Sequence, residues 1–518
     1  MMLSQSVSIQ RCKSPAFSSS FLPSLPPRLL SFFPLPHRLY LPHRPHLFLA
    51  LSPLQWVSSS GHRCYFENAV HFLDNPGEFF YNSSTHELMW FSAHGVDPNE
   101  AVVIYPRATE ILTMAGSTEA QGGPLVSYIN FANISFMHAS VDFSSCLQGY
   151  CDSQSTDFLD TAAIHLEGAF RVTFSFVEIA HVGGYGLWFS TSTRNCSFTH
   201  GHVVDTGAGG VRIGTGSNNV PEPQRCEGNI VADSILEKGG RVYQSGCGVL
   251  AQAVARTVIA HNLITDFYYT GVSVGWSWGY AETSTYENIV AFNAINTIGQ
   301  YELSDMGCVY TLGKQHGSLV VNNVCHSVFS YSYGGWAYYT DEGSTNITFA
   351  NNIAFNTKCA GHHQHYGMDN LITNNVYANV NVEGCDGIVR SSQHSGRTTN
   401  CSHIKPSDDQ GQCSSFLLLT NILYSDHDSE ILVAPVAPYA FINTTTDFNT
   451  FYRLISVRNI AFPTNMSDHT FSEWQSLHHD IHGVIADPKF ADGQASQYSK
   501  LLPTSPSLKL VREVDLCK

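Results

Sequence analysis

The amino-acid sequence predicts an all-β fold, a right-handed parallel β-helix in which successive coils of the chain stack into one solenoid. Two repeated strands indicate this fold. The first alternates apolar residues before an asparagine and recurs as TVIAHNLI, NIVAFNAI, SLVVNNVC, NITFANNI and LITNNVYA. The second opens with glycine, as in Gly210-Val-Arg-Ile and Gly271-Val-Ser-Val. Strands with a period of two residues, recurring about every 20–50 residues, are typical of a solenoid whose coils bury their apolar faces against each other.

An asparagine occupies a matched place in five of these repeats. The five are Asn262, Asn293, Asn323, Asn351 and Asn375. Asparagine tolerates left-handed backbone and its amide can bond to the same residue one coil away. We therefore predict that these five side chains lie at one corner of the solenoid.

Changes in composition divide the chain into four parts. Residues 1–64 are a Pro-, Ser- and Arg-rich extension, expected to be disordered or targeting-like. Residues 65–160 are strands that lead into the solenoid, and residues 161–415 are the parallel coils with the candidate groove. Residues 416–518 form closing coils and a cap, because an uncovered end would expose strand edges and apolar core.

The cysteines and the N-terminus give two indications of location. Fourteen cysteines and seven Asn-x-Ser/Thr sequons favour a secreted glycoprotein with disulfides, and Cys146/Cys151 and Cys401/Cys413 are close enough in sequence to pair. Residues 1–66 contain no Asp or Glu, which is instead typical of an organellar transit peptide. We expect secretion, with an organelle as the alternative.

Charge and residue spacing argue against several classes of partner. A net charge of −16 argues against nucleic acid, since binding to nucleic acid depends on basic surface. No apolar run is long enough for a transmembrane helix. The Cys and His residues lack zinc-finger spacing, and the HHQH run at 362–365 lacks the helical spacing of many zinc sites. We predict neither a metal site nor a cofactor.

Candidate functional residues follow the Gly-led strands in successive coils, where turns are expected to line one groove. Aromatic rings stack on apolar sugar faces, and two carboxyls can perform acid and base work on a glycosidic bond. The carboxyls are Asp305 and Asp341, each of which could also be a simple turn residue. The other candidates, assigned to substrate binding, are Trp276, Trp278, Tyr280, Lys314, His316, Glu342, His363, His365 and Tyr366.

The motifs in this region resemble those of a known enzyme family. GVSVGWSWGY, SDMGCVYTLGKQHG, YGGWAYYTDEG and HHQHYGMDN, preceded by ENAVHFLDNPGEFFYN and DTGAGGVRIG, are similar to the β-helix proteins of glycoside hydrolase family 141 over about residues 65–515. The resemblance implies a pectate-lyase-like fold and hydrolysis of α-L-fucosides or xylan. It places the catalytic aspartates on Asp305 in SDMG and Asp341 in TDEG. Cys308 and Cys359 depart from the family pattern and could form disulfides near the site.

Three functions are compatible with these features. The first is a glycoside hydrolase with a carbohydrate substrate, in which one aspartate is the general acid and the other is nucleophile or base. The second is a carbohydrate-binding or adhesive solenoid without turnover. The third is a polysaccharide lyase, which the negative charge and the lack of a basic groove disfavour. Retention of both acidic motifs favours the hydrolase.

Overall fold

The computed structural model describes residues 69–143 apart from 83, 93–95, 98–99 and 119–122, residues 152–392 apart from 217 and 386, and segments 415–425, 431–435, 443–453 and 470–490. It also describes Gln10–Lys13, Leu39–Tyr40 and Arg63–Phe66, three strands that pair antiparallel. These short strands lie in or next to residues 1–64, and the expectation that this extension is disordered or targeting-like stays a prediction. The rest of residues 1–62 lies outside the described residues.

Three long parallel sheets run the length of the molecule. Sheet A comprises Leu112–Ala115, Ala162–Glu167, Tyr185–Phe189, Val211–Gly214, Val249–Gln252, Val272–Val274, Gly307–Thr311, Trp336–Thr340, His362–His365, Gly387–Ser392 and Ile431–Pro435. Sheet B comprises Asn130–Ala132, Thr173–Ser175, Ser197–Thr199, Ile230–Ala232, Val258–Ala260, Ile289–Ala291, Lys314–Val321, Thr345–Ala350, Asn370–Thr373, Ser415–Leu419 and Asn443–Asp447. Sheet C comprises Ser135–Ala139, Glu178–Val182, His202–Thr206, Ile235–Glu237, Leu263–Phe267, Ala294–Ile298, Val324–Val328, Ile353–Thr357, Val376–Ala378, Ile422–Ser425, Thr450–Arg453 and Val484–Ile485.

Each coil passes through sheets A, B and C in that order, and each strand pairs with its counterpart in the next coil. The chain is thus a right-handed parallel β-helix, as predicted. The Gly-led strands all belong to sheet A, and the strands that precede the asparagines belong to sheet B. A hairpin (Phe79–Asn82 with Glu87–Trp90), a strand pair (Val126–Ser127 with Ala169–Phe170) and 3-10 turns at Val70–Phe72, Gln154–Thr156 and Glu222–Gln224 complete the described part before the C-terminal segments. No helix in the described part is long and apolar enough to cross a membrane.

Inward-facing residues of neighbouring coils meet in register. Along sheet B, Val231 pairs with Ile259, Ile259 with Val290, and Val290 with Val320, all buried. Each such side chain contributes about 1.5–3 kcal/mol through burial, so the rows of the interior account for much of the stability. Glycine opens the sheet A strands where there is no room for a side chain. A Cβ on Gly248 would overlap Ile264.

The corner between sheets B and C holds a ladder of buried asparagines. Each turn has two residues, a left-handed one followed by the ladder residue, as in His261 (φ +56°) and Asn262. The amide of Asn262 donates to the Asn293 Oδ1 at 3.0 Å, and the same contact joins the rungs that follow. The ladder consists of Asn262, Asn293, Asn323, Asn352, Asn375, Asn421 and Asn449.

The prediction for one ladder residue was wrong by one position. Asn351 is exposed with φ +57°, and its neighbour Asn352 is the buried rung. The two residues of the turn have opposite roles, a left-handed outer position and a buried inner one, so a shift of one residue exchanges them. Asn262, Asn293, Asn323 and Asn375 share one corner, as predicted.

The C-terminal end of the ladder is closed by Asp480. This fully buried residue accepts from the Asn449 side-chain amide at 2.7 Å and from the Trp474 indole at 3.0 Å. Trp474 lies in the short helix Phe471–Ser476, which begins with a capping box between Thr470 and Glu473. The helix thus brings a large apolar ring and the last acceptor onto the final coils.

Two disulfides lie among the described cysteines. Cys308–Cys325 joins a strand of sheet A to a strand of sheet C through the interior, and Cys359–Cys385 links the two following coils. Cys308 and Cys359, expected as candidates for pairing, are therefore both bridged. Cys146/Cys151 and Cys401/Cys413 lie outside the described residues.

Removing the Cys308–Cys325 bridge should lower stability without changing the fold. The bridge closes a loop with a sequence separation of 17 residues. The double variant Cys308→Ala/Cys325→Ala should lose about 3 kcal/mol of unfolding free energy, because the unfolded chain regains loop entropy. Denaturant unfolding measures this, and Cys226→Ala, which removes a buried free thiol, is the control. Equal losses in the two proteins would contradict a role for the cross-link.

Candidate functional site

One stretch of the outer face of sheet A carries three neighbouring rings. They belong to a row in which one residue from each successive strand lies beside the next: Ser273, Tyr310, Tyr339, His363 and Arg390. Tyr310 meets Tyr339 edge-on at 4.8 Å between ring centroids, and Tyr339 stacks on the His363 ring at 4.9 Å. The parallel register places one residue per coil in line, so residues far apart in sequence form a continuous surface.

Asp341 follows directly after the strand Trp336–Thr340. Its carboxylate accepts a hydrogen bond from the Tyr310 hydroxyl and lies 2.6 Å from the His365 Nδ1. Burial alone would raise the pKa of Asp341. The hydrogen bond and the charge of His365, together with the hydrogen bond from Tyr310, outweigh burial and hold this pKa below the usual carboxyl value. Asp341 is therefore ionised at neutral pH, although only 5% of its surface is exposed.

Asp305 sits in the turn before the strand Gly307–Thr311, with left-handed backbone at φ +61°. Its carboxylate accepts from the Tyr339 hydroxyl at 3.2 Å, and its carbonyl accepts from the Tyr269 hydroxyl at 2.9 Å. Burial, followed by the charge of Asp341, raises the pKa of Asp305 to about 7. Asp305 is therefore largely protonated in slightly acidic solution.

The two aspartates belong to one cluster. Tyr339 donates to Asp305, and its own pKa is raised by burial and by the charges of both Asp305 and Asp341. Asp305 precedes a strand and Asp341 follows the next one, so opposite ends of neighbouring strands contribute the pair. Carboxyls whose surroundings push their pKa values apart can serve as an acid and a base at the same pH.

Four of the other predicted residues surround this cluster. His365 contacts Asp341 directly, and His363 stacks on Tyr339. Tyr366 packs edge-on against the His365 ring at 4.2 Å, and burial and a hydrogen bond to Glu342 raise the pKa of its hydroxyl. The turn Asp341-Glu342-Gly343 and the strand His362–His365 therefore form one wall of the site.

The loop Trp276-Ser-Trp-Gly-Tyr280 packs onto that wall. The Tyr280 hydroxyl donates to the carbonyl of Tyr366, and a Cβ on Gly343 would overlap the Gly279 carbonyl. Trp276 is buried and meets Trp278 edge-on at 5.1 Å, whereas Trp278 is 43% exposed. Only Trp278 of the two presents a broad apolar surface to solvent.

Two predictions about local structure were wrong. Lys314 and His316 were placed in a turn, but they lie in the sheet B strand Lys314–Val321. The HHQH run was placed in a loop, but it forms a strand of sheet A in which His362 faces the interior against Phe349. Outward positions of a strand are as polar as a turn, and this similarity explains both errors.

Lys314 and His316 have partners other than the two aspartates. The Lys314 ammonium lies 2.5 Å from Glu282, and the exposed His316 lies 2.8 Å from the side-chain nitrogen of Asn346. Their assignment to substrate binding stays a prediction. Within the described ranges, no group of three or more His, Cys, Asp or Glu is arranged to hold a metal ion.

Sequence reasoning missed the residues that hold the pair. The tyrosines Tyr269, Tyr310 and Tyr339 were not selected, although Tyr310 and Tyr339 occupy matching places in GCVYT and WAYYT. Gln154 was also missed. Its side-chain amide donates to the Tyr269 hydroxyl at 3.3 Å and to the Tyr310 hydroxyl at 3.2 Å. No repeat marks Gln154, since it precedes these coils in a segment without counterparts.

Comparison with known proteins supports the fold. No family model and no curated protein matches the chain. A solved structure described as a glycoside hydrolase is 22% identical, with a TM-score of 0.52, over 62% of this chain and 57% of its own. The chain thus spans little more than half of that protein.

Two further solved structures are more distant. One is XylC in complex with xylose, 11% identical with a TM-score of 0.40 over 82% of this chain and 66% of its own. The other is a tailspike protein of an E. coli bacteriophage in complex with a pentasaccharide, 10% identical with a TM-score of 0.40 over 78% of this chain and 74% of its own. Membership of family 141 stays a prediction.

Proposed function

We propose that this protein is a glycoside hydrolase that acts on a complex polysaccharide or oligosaccharide, fucoside- or xylan-like as the motifs imply. The observation that carries the proposal is the pair Asp305 and Asp341, two carboxyls with opposite pKa shifts in one tyrosine-lined cluster. Glycosidic bonds are hydrolysed by such a pair, one protonated and one ionised. The disulfides fit a secreted enzyme, since such bridges persist in oxidising compartments.

The roles follow from protonation. Asp305 holds a proton up to about pH 7 and is the general acid that protonates the leaving oxygen of the sugar. Asp341 is kept ionised by His365 and Tyr310 and is the nucleophile, or the base that activates water. Tyr310, Tyr339 and His363 are buried, whereas Trp278 is exposed and provides a face on which a sugar can stack.

The pH profile of hydrolysis tests this division. Release of labelled sugars from a panel of aryl glycosides and polysaccharides should show kcat/KM falling above about pH 7, as Asp305 loses its proton. The acidic limb should lie below the ordinary carboxyl range, because the pKa of Asp341 is lowered.

The competing function has a distinct outcome in the same experiment. A binding or adhesive protein would retain oligosaccharides of the panel at every pH and release no sugar. Turnover with an alkaline limb well above pH 7 would instead contradict Asp305 as the acid while leaving hydrolysis intact.

A further inference from the structure

A segment outside the regular coils reaches the carboxyl pair. Residues 152–160 follow the N-terminal strands and include the 3-10 turn Gln154–Thr156. The Gln154 side chain extends from this turn and its Nε2 lies between the hydroxyls of Tyr269 and Tyr310, which are 115 and 156 residues further along the chain. A single amide thus contacts the partners of both aspartates.

An amide nitrogen can only donate hydrogen bonds, and this fixes the direction of the bonds beyond it. Each phenol oxygen accepts from Gln154, so each phenol proton is left to point away from it. The Tyr310 proton points to the Asp341 carboxylate, and the Tyr269 proton points to the Asp305 carbonyl. Reversing either phenol would place two donors face to face.

We infer that Gln154 is a positioning residue, which orients the two tyrosine hydroxyls so that Asp341 stays ionised and Asp305 stays in place. This inference rests on the proposed function for its catalytic consequence. Gln154 contacts neither carboxyl directly in the described hydrogen bonds, so it acts through the phenols.

The segment is held firmly enough for this role. The backbone N–H of Thr156 donates to the Ser245 hydroxyl at 2.9 Å, and the buried Arg212 guanidinium donates to the carbonyl of Leu159 at 2.7 Å. Ser155 and Thr156 both have left-handed backbone, at φ +56° and +53°. That conformation is costly for a β-branched residue, so the surrounding contacts must impose it.

The effect of a substitution at Gln154 on the protonation of Asp341 depends on the titratable groups around the two aspartates. The titratable groups that face the pair are His365 from the next coil and the phenols of Tyr269, Tyr310, Tyr333 and Tyr339. Asp341 and Asp305 are the two acids of the cluster, and Glu342 follows in the same turn. A new carboxyl at position 154 would accept hydrogen bonds where the amide donates them, and would attract the Tyr310 proton away from Asp341.

Two substitutions separate reversal of the hydrogen bonds from their loss. Gln154→Glu should move the acidic limb of kcat/KM upward by about 1 pH unit, because the new carboxyl accepts the Tyr310 proton and Asp341 loses this phenol donor. Gln154→Met keeps the length of the side chain but not the donor. It should lower kcat about tenfold with KM unchanged, a fraction of what acid–base catalysis contributes.

A readout without turnover keeps this inference separate from the proposed function. A carboxyl with a lowered pKa in the folded state stabilises the protein at neutral pH, and this stability is lost as pH falls through that pKa. Gln154→Glu should therefore lose less unfolding free energy on acidification than the unaltered protein, and the loss should be complete about 1 pH unit higher. Absence of hydrolysis in the unaltered protein would refute the proposed function and leave this test valid.

Thr156→Val is the matched control. It removes the Thr156 hydroxyl that bonds Ser245 and Asp152, and so loosens the segment without touching the tyrosines. It should lower the melting temperature and leave unchanged the pH at which acid destabilisation is complete. If Gln154→Glu and Gln154→Met behave like Thr156→Val, with lower melting temperatures and unmoved pH dependence, Gln154 only anchors the segment and the inference is overturned.

Discussion

Asp305→Asn and Asp341→Asn are each expected to reduce kcat by about 10²–10⁴-fold, the contribution of a positioned acid or base. The asparagines keep the size of the side chains but neither carry a titratable proton nor act as nucleophile. Initial rates of sugar release on the best substrate measure the loss. Asp233→Asn, at an exposed left-handed turn position between the strands Ile230–Ala232 and Ile235–Glu237, should retain full activity.

The two variants should differ in stability. The pKa of Asp341 is lowered on folding, so its charge stabilises the folded protein at neutral pH, and Asp341→Asn should cost about 1–3 kcal/mol through the broken contact with His365. The pKa of Asp305 is raised, so this residue lowers the stability of the fold as pH rises from the ordinary carboxyl range to about 7, and the full penalty remains above that pH. Asp305→Asn should therefore be neutral or stabilising at pH 8. Full activity in either variant would exclude that residue from catalysis.

Asn352→Ala is expected to cost roughly 4 kcal/mol of unfolding free energy, because several buried polar groups lose partners at once. The Asn352 Oδ1 accepts from the backbone N–H and the side-chain amide of Asn323, at 2.9 and 3.0 Å. Its own amide donates to Val320 and Asn375. Denaturant unfolding gives the loss.

Asn351→Ala is the adjacent control. Asn351 is exposed, and alanine there would incur the cost of left-handed backbone, about 1–2 kcal/mol, and lose an exposed hydrogen bond from the Asn374 amide. A larger loss for Asn351→Ala than for Asn352→Ala would restore the register predicted from the sequence and contradict the ladder described above.

The fold was predictable because its two signals are periodic. Apolar alternation marks strands, and recurrence at near-constant spacing shows that they stack. Single positions were harder to assign in Asn-Asn pairs. In Asn351-Asn352 one residue suits the left-handed turn and the other the buried ladder, and asparagine is favoured at both for different physical reasons.

The candidate site was predictable in part. Asp305, Asp341 and His365 were selected from motifs, and the structure brings them together with Tyr339. Tyr310 and Tyr339 face outward from strands, where the sequence pattern expects polar or exposed residues of any kind, and Tyr269 lies in a turn between two strands. Gln154 depends on a contact across more than a hundred residues, and no local pattern encodes such a contact.

The carboxylate of Asp480 makes the asparagine ladder a one-way structure. Every rung donates towards the C-terminus and accepts from the N-terminal side, so the row needs a final member that accepts and does not donate onward. The two acceptor oxygens of the Asp480 side chain meet that need, whereas another asparagine would present amide hydrogens to the Trp474 indole N–H. Duplicating an interior coil between Asn323 and Asn352 would preserve every amide pairing. The side chain of Asp480 accepts hydrogen bonds and offers no amide hydrogen to a further rung. The ladder of asparagines therefore ends at this residue.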